Sequence, residues 1–194
     1  MPDLDSLMRI LCVLWIGFEA YVSATRRNSP DKQAQDKGSL HLLWMSIALS
    51  TMAAASLRYW VPFTRQGAAI TWFSPALGYA GCALIVIGLG LRFWAIRALG
   101  RRFTVQVAIV EGHSIVQRGL YRFVRHPAYL GSLVSLLGLG LAFENWASIA
   151  AALALPLLAT LNRIRIEEAM LIAHFGEEYR QYQARTWRLL PWVH

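Results

Sequence analysis

Five apolar stretches, at about 7–24, 40–57, 75–96, 128–143 and 146–161, occupy nearly half of the 194 residues and limit what this chain can fold into. About 20 apolar residues cross the ~30 Å hydrocarbon layer of a bilayer as a helix. Inside lipid, every backbone N–H and C=O has to be satisfied within its own segment, so runs of this kind fold as helices. With 56% hydrophobic and 15% charged residues, the composition lies outside the range of ordinary soluble domains. The fold class expected is an all-α integral membrane protein of about five transmembrane helices. The first run follows Met1–Ser6 without a basic leader or a small-residue cleavage pattern, and is expected to be a retained span.

A net charge of +8 would suit nucleic acid, but the basic residues lie mostly between the apolar runs. Arg26, Arg27, Lys32 and Lys37 fill the first connection, and Arg97, Arg101, Arg102, Arg118, Arg122 and Arg125 the third. Five more arginines follow from Arg163, whereas the opposite side shows only Arg9, Arg58 and Arg65. The positive-inside rule then places the long third connection and the tail in the cytoplasm and the N-terminus outside. The partner expected is the lipid bilayer, not nucleic acid. Localisation follows as multi-pass, in the cell membrane of a prokaryote or the endoplasmic reticulum of a eukaryote.

Several smaller features read as structural. Gly78, Gly81, Gly88 and Gly90 in the third run, and Gly131, Gly138 and Gly140 in the fourth, are small residues that let helix backbones approach closely. Tyr59, Trp60, Trp72 and Phe73 form an interfacial aromatic belt. Cys12 and Cys82 lie inside apolar runs without metal-ligand or disulfide spacing, and no metal site is expected. Glu19 is an intramembrane carboxylate near a helix end, read as structural.

The whole chain, 1–194, reads as one membrane domain: three N-terminal helices in 1–99, then a region at 100–194 with two further helices and an amphipathic tail. In that second region, Gly119–Gly131 holds Tyr121, Arg122, Arg125, His126 and Tyr129 where Pro127 opens the fourth apolar helix. Such a cluster at a membrane boundary suits a polar cofactor. Upstream, 103–110 has extended character and Glu111-Gly112-His113-Ser114 is turn-like. Glu144 and Asn145 leave room only for a tight antiparallel hairpin. Helix five therefore returns to the same edge, bringing Arg163 and Glu167, four residues apart on one helical face, near His126 and Tyr129. Pro156 is expected to kink this helix. Its pattern continues to Arg185, with Gly176 as a break and Tyr179 and Tyr182 packing the tail on the bundle.

The segment Arg-His-Pro-Ala-Tyr-Leu-Gly at Arg125–Gly131, with Arg163-Ile-Arg-Ile-Glu-Glu168 and Phe175-Gly-Glu-Glu-Tyr179, resembles the isoprenylcysteine carboxyl methyltransferase (ICMT) family. These motifs, in this order, cover about 106–191. The resemblance implies an integral membrane enzyme that moves a methyl group from S-adenosyl-L-methionine to the carboxylate of a C-terminal S-prenylcysteine, releasing S-adenosyl-L-homocysteine. It implies a cytoplasmic cofactor pocket formed by the loop before helix four and the C-terminal tail. Residue by residue, it puts Gln106, His113, Ser114, Ile115, Val116, Tyr121, His126, Pro127, Ala128, Tyr129 and Glu167 in that pocket. Arg163 would face the substrate, and Arg163 and Glu167 would form the catalytic pair.

The chemistry of these residue types is compatible with that reading. The cofactor carries a sulfonium, an ammonium and a carboxylate, so its pocket needs an anion such as Glu167 and donors such as His126. A carboxylate acceptor is ionised at neutral pH, because reference carboxylic acids titrate near 4, and needs alignment, not a base. An arginine such as Arg163 grips it with a planar fork. Wider relatives of the family leave two alternatives: a phospholipid or small-amine N-methyltransferase on the same cofactor, and an NADPH-dependent membrane reductase.

Overall fold

The structure is a computed structural model, and it describes residues 3–25, 38–72, 74–100 and 115–190. These residues are organised as α-helices: α1 (Leu4–Thr25), α2 (Ser39–Tyr59), α3 (Pro62–Gly67), α4 (Ala76–Leu99), α5 (Pro127–Ala142), α6 (Trp146–Phe175) and α7 (Glu177–Arg185). A 3₁₀ turn, Gly119–Arg122, precedes α5. Strand pairing among the described residues is limited to two isolated bridges.

Four helices, α1, α2, α4 and α6, are long and apolar enough to cross a membrane, and α5 is a shorter apolar helix. At 1.5 Å per residue, the 30 residues of α6 span about 45 Å, more than the ~30 Å hydrocarbon layer. The far end of α6 therefore extends past the lipid core. Val13, Ile16, Met52, Trp94 and Leu158 are among the exposed large apolar side chains, as expected of helices whose outer faces meet lipid. The chain is a multi-pass integral membrane protein.

The tightest packing joins α4 to α5, and it depends on missing Cβ atoms. A Cβ on Gly81 would stand 2.5 Å from both the Gly138 carbonyl oxygen and the Ala142 nitrogen; one on Gly131 would stand 2.6 Å from the Gly88 oxygen. Gly81 with Gly138, and Gly88 with Gly131, thus form two backbone contacts seven residues apart on each helix. Helix association in lipid rests on this kind of close approach. Gly140 performs the same service against Ile149 of α6, and Gly78 against Leu4 of α1. Gly90 does not belong with them, since its Cβ would meet nothing within 4 Å.

The α5–α6 turn closes tightly. Glu144 takes a positive φ of 50°, and the Asn145 side chain caps α6 by accepting from the Ser148 amide at 3.1 Å. The segment after α3 fastens to this turn, with the Ile70 amide donating to the Glu144 carbonyl and the Trp146 amide to the Ala68 carbonyl. The short helix α3 and this clamp make up the connection between α2 and α4. At the same end, Met8, Leu11, Ala54, Cys82, Ile85, Leu139, Phe143 and Ala152 form the main apolar core. Cys82 is buried and Cys12 half-buried there, both as free thiols. Pro156 is fully buried inside α6, which runs through it as one helix.

Candidate functional site

The opposite end of the bundle is polar. Pro127 occupies the first turn of α5, where a missing N–H costs no helical hydrogen bond, and so sets where α5 begins. This places His126 just before the helix and Tyr129 in its first turn. The α5–α6 hairpin brings Arg163, Glu167 and Glu168 of α6 to the same place.

Tyr129 stands between Arg163 and Glu167. Its hydroxyl accepts from Arg163 Nε at 2.9 Å and donates to Glu167 Oε2 at 2.9 Å. The expected ion pair on one face of α6 is thus a three-residue chain with a phenol in the middle. Arg163 is 1% exposed despite its charge, and its Nη1 also donates to Ser39 Oγ at 2.7 Å. The Glu167 side chain, by contrast, is 31% exposed. The chain therefore runs from a buried cation to a carboxylate that solvent or a ligand can reach.

His126 is oriented by the neighbouring Glu168. Its Nε2 lies 3.2 Å from Glu168 Oε1, an oxygen that also accepts from Arg125 Nε at 2.9 Å. A carboxylate oxygen only accepts, so Nε2 carries the proton and Nδ1 faces Glu167 Oε2, 3.9 Å away. The second oxygen of Glu168 accepts from Arg188 Nη2 at 2.9 Å. Arg125 Nη1 reaches the carbonyls of Gln183, at 2.8 Å, and Thr186. Buried Arg125 and Glu168 thus hold the tail against the loop before α5.

Backbone pairing extends this hold: the Arg125 amide donates to the Trp187 carbonyl, the His126 amide to the Arg188 carbonyl, and the Trp187 amide to the Phe123 carbonyl. Gly176, at φ 55°, ends α6 and turns the chain into α7, as expected of a glycine at a helix C-terminus. Tyr179 and Tyr182 of α7 are both buried. Tyr182 donates to the Tyr121 carbonyl at 2.6 Å. Burial pushes the Tyr182 phenol up to about 12 against the opposing charge of Arg125. Burial, with the charge of Glu167 added, raises Tyr121 well above the usual phenol range. Both phenols are neutral at physiological pH.

The remaining expected site residues fall into two groups. Val116, Tyr121 and Ala128 join Ala95 in a small buried apolar cluster beside the polar chain, while Ile115 is half-buried. Gln106, His113 and Ser114, and the extended stretch 103–110, lie outside the described residues. His41 and His174 are exposed and stand apart from the chemistry.

Three contributors were not foreseen: Ser39, which holds Arg163; Arg92, which pairs with Glu19; and the organising role of Glu168. An arginine inside an apolar span is itself a signal, since intramembrane charges pair. A lone serine at a helix start carries none.

Fold and site together define a class: a helical integral membrane protein with a charged, hydrogen-bonded site at one end of its bundle, where polar and lipid-borne groups can meet. Residues 81–173, just under half of the chain, match the model of the Isoprenylcysteine carboxyl methyltransferase (ICMT) family. A probable protein-S-isoprenylcysteine O-methyltransferase of Oryza sativa subsp. indica is 31% identical over 124 residues, 63% of each chain. The protein-S-isoprenylcysteine O-methyltransferase of Tribolium castaneum is 31% identical over 151 residues, 74% of this chain and 52% of the relative. A solved structure of a eukaryotic intramembrane Ras methyltransferase ICMT superposes with a TM-score of 0.57 at 32% identity, covering 74% of this chain and 52% of that one. The chain thus spans about half to under two thirds of the length of these relatives.

Proposed function

We propose that this protein is an S-adenosylmethionine-dependent carboxyl O-methyltransferase whose acceptor is a lipophilic carboxylate of the S-prenylcysteine kind. The observation that carries the reading is the Arg163–Tyr129–Glu167 chain, a buried guanidinium coupled through a phenol to a reachable carboxylate. The named relatives and the family match support it.

The residues present fit the cofactor. Glu167 offers an anion to its ammonium and sulfonium charges, the His126 imidazole stands beside it, and Val116, Tyr121 and Ala128 offer an apolar wall. Ile115 and Pro127 adjoin that wall, and Gln106, His113 and Ser114 are assigned to the same pocket by resemblance. When bound, S-adenosylmethionine supplies an activated methyl carbon on a positively charged sulfur.

The protein's own contribution is orientation. An ionised acceptor needs no proton removed, so none of these side chains has to act as a base. Arg163 holds the carboxylate with a fixed guanidinium plane that Tyr129 and Ser39 orient. Burial around Arg163 excludes water, and rate enhancement then comes from alignment. The prenyl tail stays among the apolar helix faces. In this reading the polar end of the bundle faces the cytoplasm and the N-terminus lies outside, which the excess of basic residues in the connections and tail supports.

Two measurements test the proposal. Purified protein in detergent should bind S-adenosylhomocysteine saturably by calorimetry, and label from the methyl group should appear in a base-labile ester when a farnesylcysteine analogue is supplied. Arg163→Lys should keep cofactor binding and lose most transfer, because an ammonium cannot reproduce the fork. Absence of cofactor binding would refute the enzyme reading. Base-stable label on a phospholipid would transfer the assignment to N-methylation.

A further inference from the structure

Glu19 of α1 and Arg92 of α4 form an ion pair in the interior of the bundle. Arg92 Nε lies 2.5 Å from Glu19 Oε1, and Nη2 donates to Glu19 Oε2 at 2.8 Å. The Nη2 contact is the better-formed hydrogen bond, the Nε N–H being poorly aimed at its oxygen. Both side chains are nearly buried, 12% and 10% exposed. Two charges in such surroundings have a large desolvation cost, offset only when geometry and further hydrogen bonds are good. Lipid-facing packing alone does not require them, since apolar side chains would pack α1 on α4 without that cost.

The third contact of Arg92 shows what the pair does. Its Nη1 donates to the Ala128 carbonyl at 3.2 Å. Ala128 is the second residue of α5 and the neighbour of Tyr129. The Gly131 backbone lies directly on Arg92 as well, since a Cβ on Gly131 would fall 2.7 Å from the Arg92 nitrogen. Arg92 therefore holds the first turn of α5 from the side, one turn past the Gly88–Gly131 contact. Glu19 neutralises and orients that guanidinium. Without Glu19, Arg92 keeps a buried charge and loses the partner that aims Nη1.

We infer that Glu19 and Arg92 are positioning residues for methyl transfer: they fix the first turn of α5, and through it the Tyr129 hydroxyl that couples Arg163 to Glu167. The inference rests on the methyltransferase reading for its kinetic consequence, but not for its structural one. It extends the working parts of the site to α1, which lies outside the matched region 81–173. Neither residue touches cofactor or substrate.

The test separates positioning from support of the fold. In the double variant Glu19→Leu/Arg92→Leu no uncompensated charge remains, so thermal unfolding in detergent should stay near that of the parent. Turnover should still fall about tenfold or more at saturating cofactor and acceptor, because the Ala128 carbonyl loses its tie to α4 and keeps only the Ser132 hydroxyl of its own helix as a side-chain donor. Amide hydrogen exchange of the peptide covering 127–133 should be faster than in the parent, with no change across 150–160.

Arg92→Lys is the second variant, needed if the double variant does not fold. It keeps the charge beside Glu19 but cannot serve Glu19 and Ala128 together, and should show the same kinetic loss. Parental turnover in Arg92→Lys, or parental exchange of 127–133 in a folded double variant, overturns the inference. If the parent protein transfers no methyl group at all, the methyltransferase reading fails, and the exchange measurement alone decides the structural role of the pair.

Discussion

Replacing Tyr129 with phenylalanine tests the central coupling with the least disturbance of packing. The ring stays and one oxygen leaves, taking with it the 2.9 Å bond from Arg163 Nε and the 2.9 Å bond to Glu167 Oε2. The two losses differ in size. The Glu167 side chain is 31% exposed, so water can take the place of the hydroxyl. Arg163 is 1% exposed, and where its Nε met the phenol no solvent reaches. A hydrogen bond to a charged group contributes about 1.5–3 kcal/mol. With most of the loss falling on Arg163, that is about 10- to 100-fold at 1.4 kcal/mol per decade.

The loss should appear in kcat/KM for the acceptor, since Arg163 is the residue assigned to its carboxylate. Affinity for S-adenosylhomocysteine, measured by calorimetry, should change by less than about threefold. Acceptor titrations with methyl-labelled cofactor, read as base-released methanol, supply the kinetic side. A Tyr129→Phe protein with parental kcat/KM would show that the hydroxyl does not organise Arg163. A loss confined to cofactor affinity would move Arg163 and Tyr129 to the cofactor side of the site.

Three further outcomes follow from the helix packing and the tail. Gly88→Ala puts a Cβ 2.5 Å from the Gly131 carbonyl oxygen and 2.6 Å from the Ser135 nitrogen, and should destabilise the detergent-solubilised protein by about 1–3 kcal/mol. Gly90→Ala, on the same helix but facing open space, should be neutral or stabilising in the same thermal melts. Tyr182 has its pKa raised to about 12 by burial, against about 10 when unfolded. Its contribution to stability is therefore complete below pH about 10 and lost as pH rises through about 12. Alkaline unfolding followed by tail fluorescence should lose part of its pH dependence in that window in Tyr182→Phe.

The features legible in the sequence were those with a long period or a fixed offset. Apolar run length gives α1, α2 and α4 to within about three residues at each end and the start of α6, which continues past its apolar run to Phe175, because lipid leaves the backbone no alternative to a helix. Pro127 marks the start of α5 because its ring fixes φ and it has no N–H to satisfy, and Gly176 the end of α6 because glycine takes a positive φ without strain. The tight turn at Glu144 and Asn145 then brings Arg163 and Glu167 back to Tyr129. The partner of each charge was not legible. Glu19 reads as a structural carboxylate near a helix end, and its partner, Arg92, stands 73 positions away. Arg163 and Glu167 looked like a helical pair, whereas a phenol from another helix stands between them. Gly90 has the same spacing appeal as Gly88, and only the rotation of α4 tells them apart. Choices of this kind depend on which faces two helices present to each other, which a single chain's periodicity does not encode.

The parallel bridge between Val124 and Trp187 has a consequence in time as well as in space. Residues 123–126, which lead into α5, pair their backbone with 187–188, about sixty positions later. During synthesis, α5 and α6 can therefore be threaded and paired while His126 still lacks the Arg188 carbonyl and Glu168 still lacks the Arg188 guanidinium. The bundle is built from the N-terminal side, but this end of it is locked last. A nascent chain halted before Thr186 would carry every described helix but lack the carbonyls that receive the Arg125 and His126 amides and the guanidinium that meets Glu168.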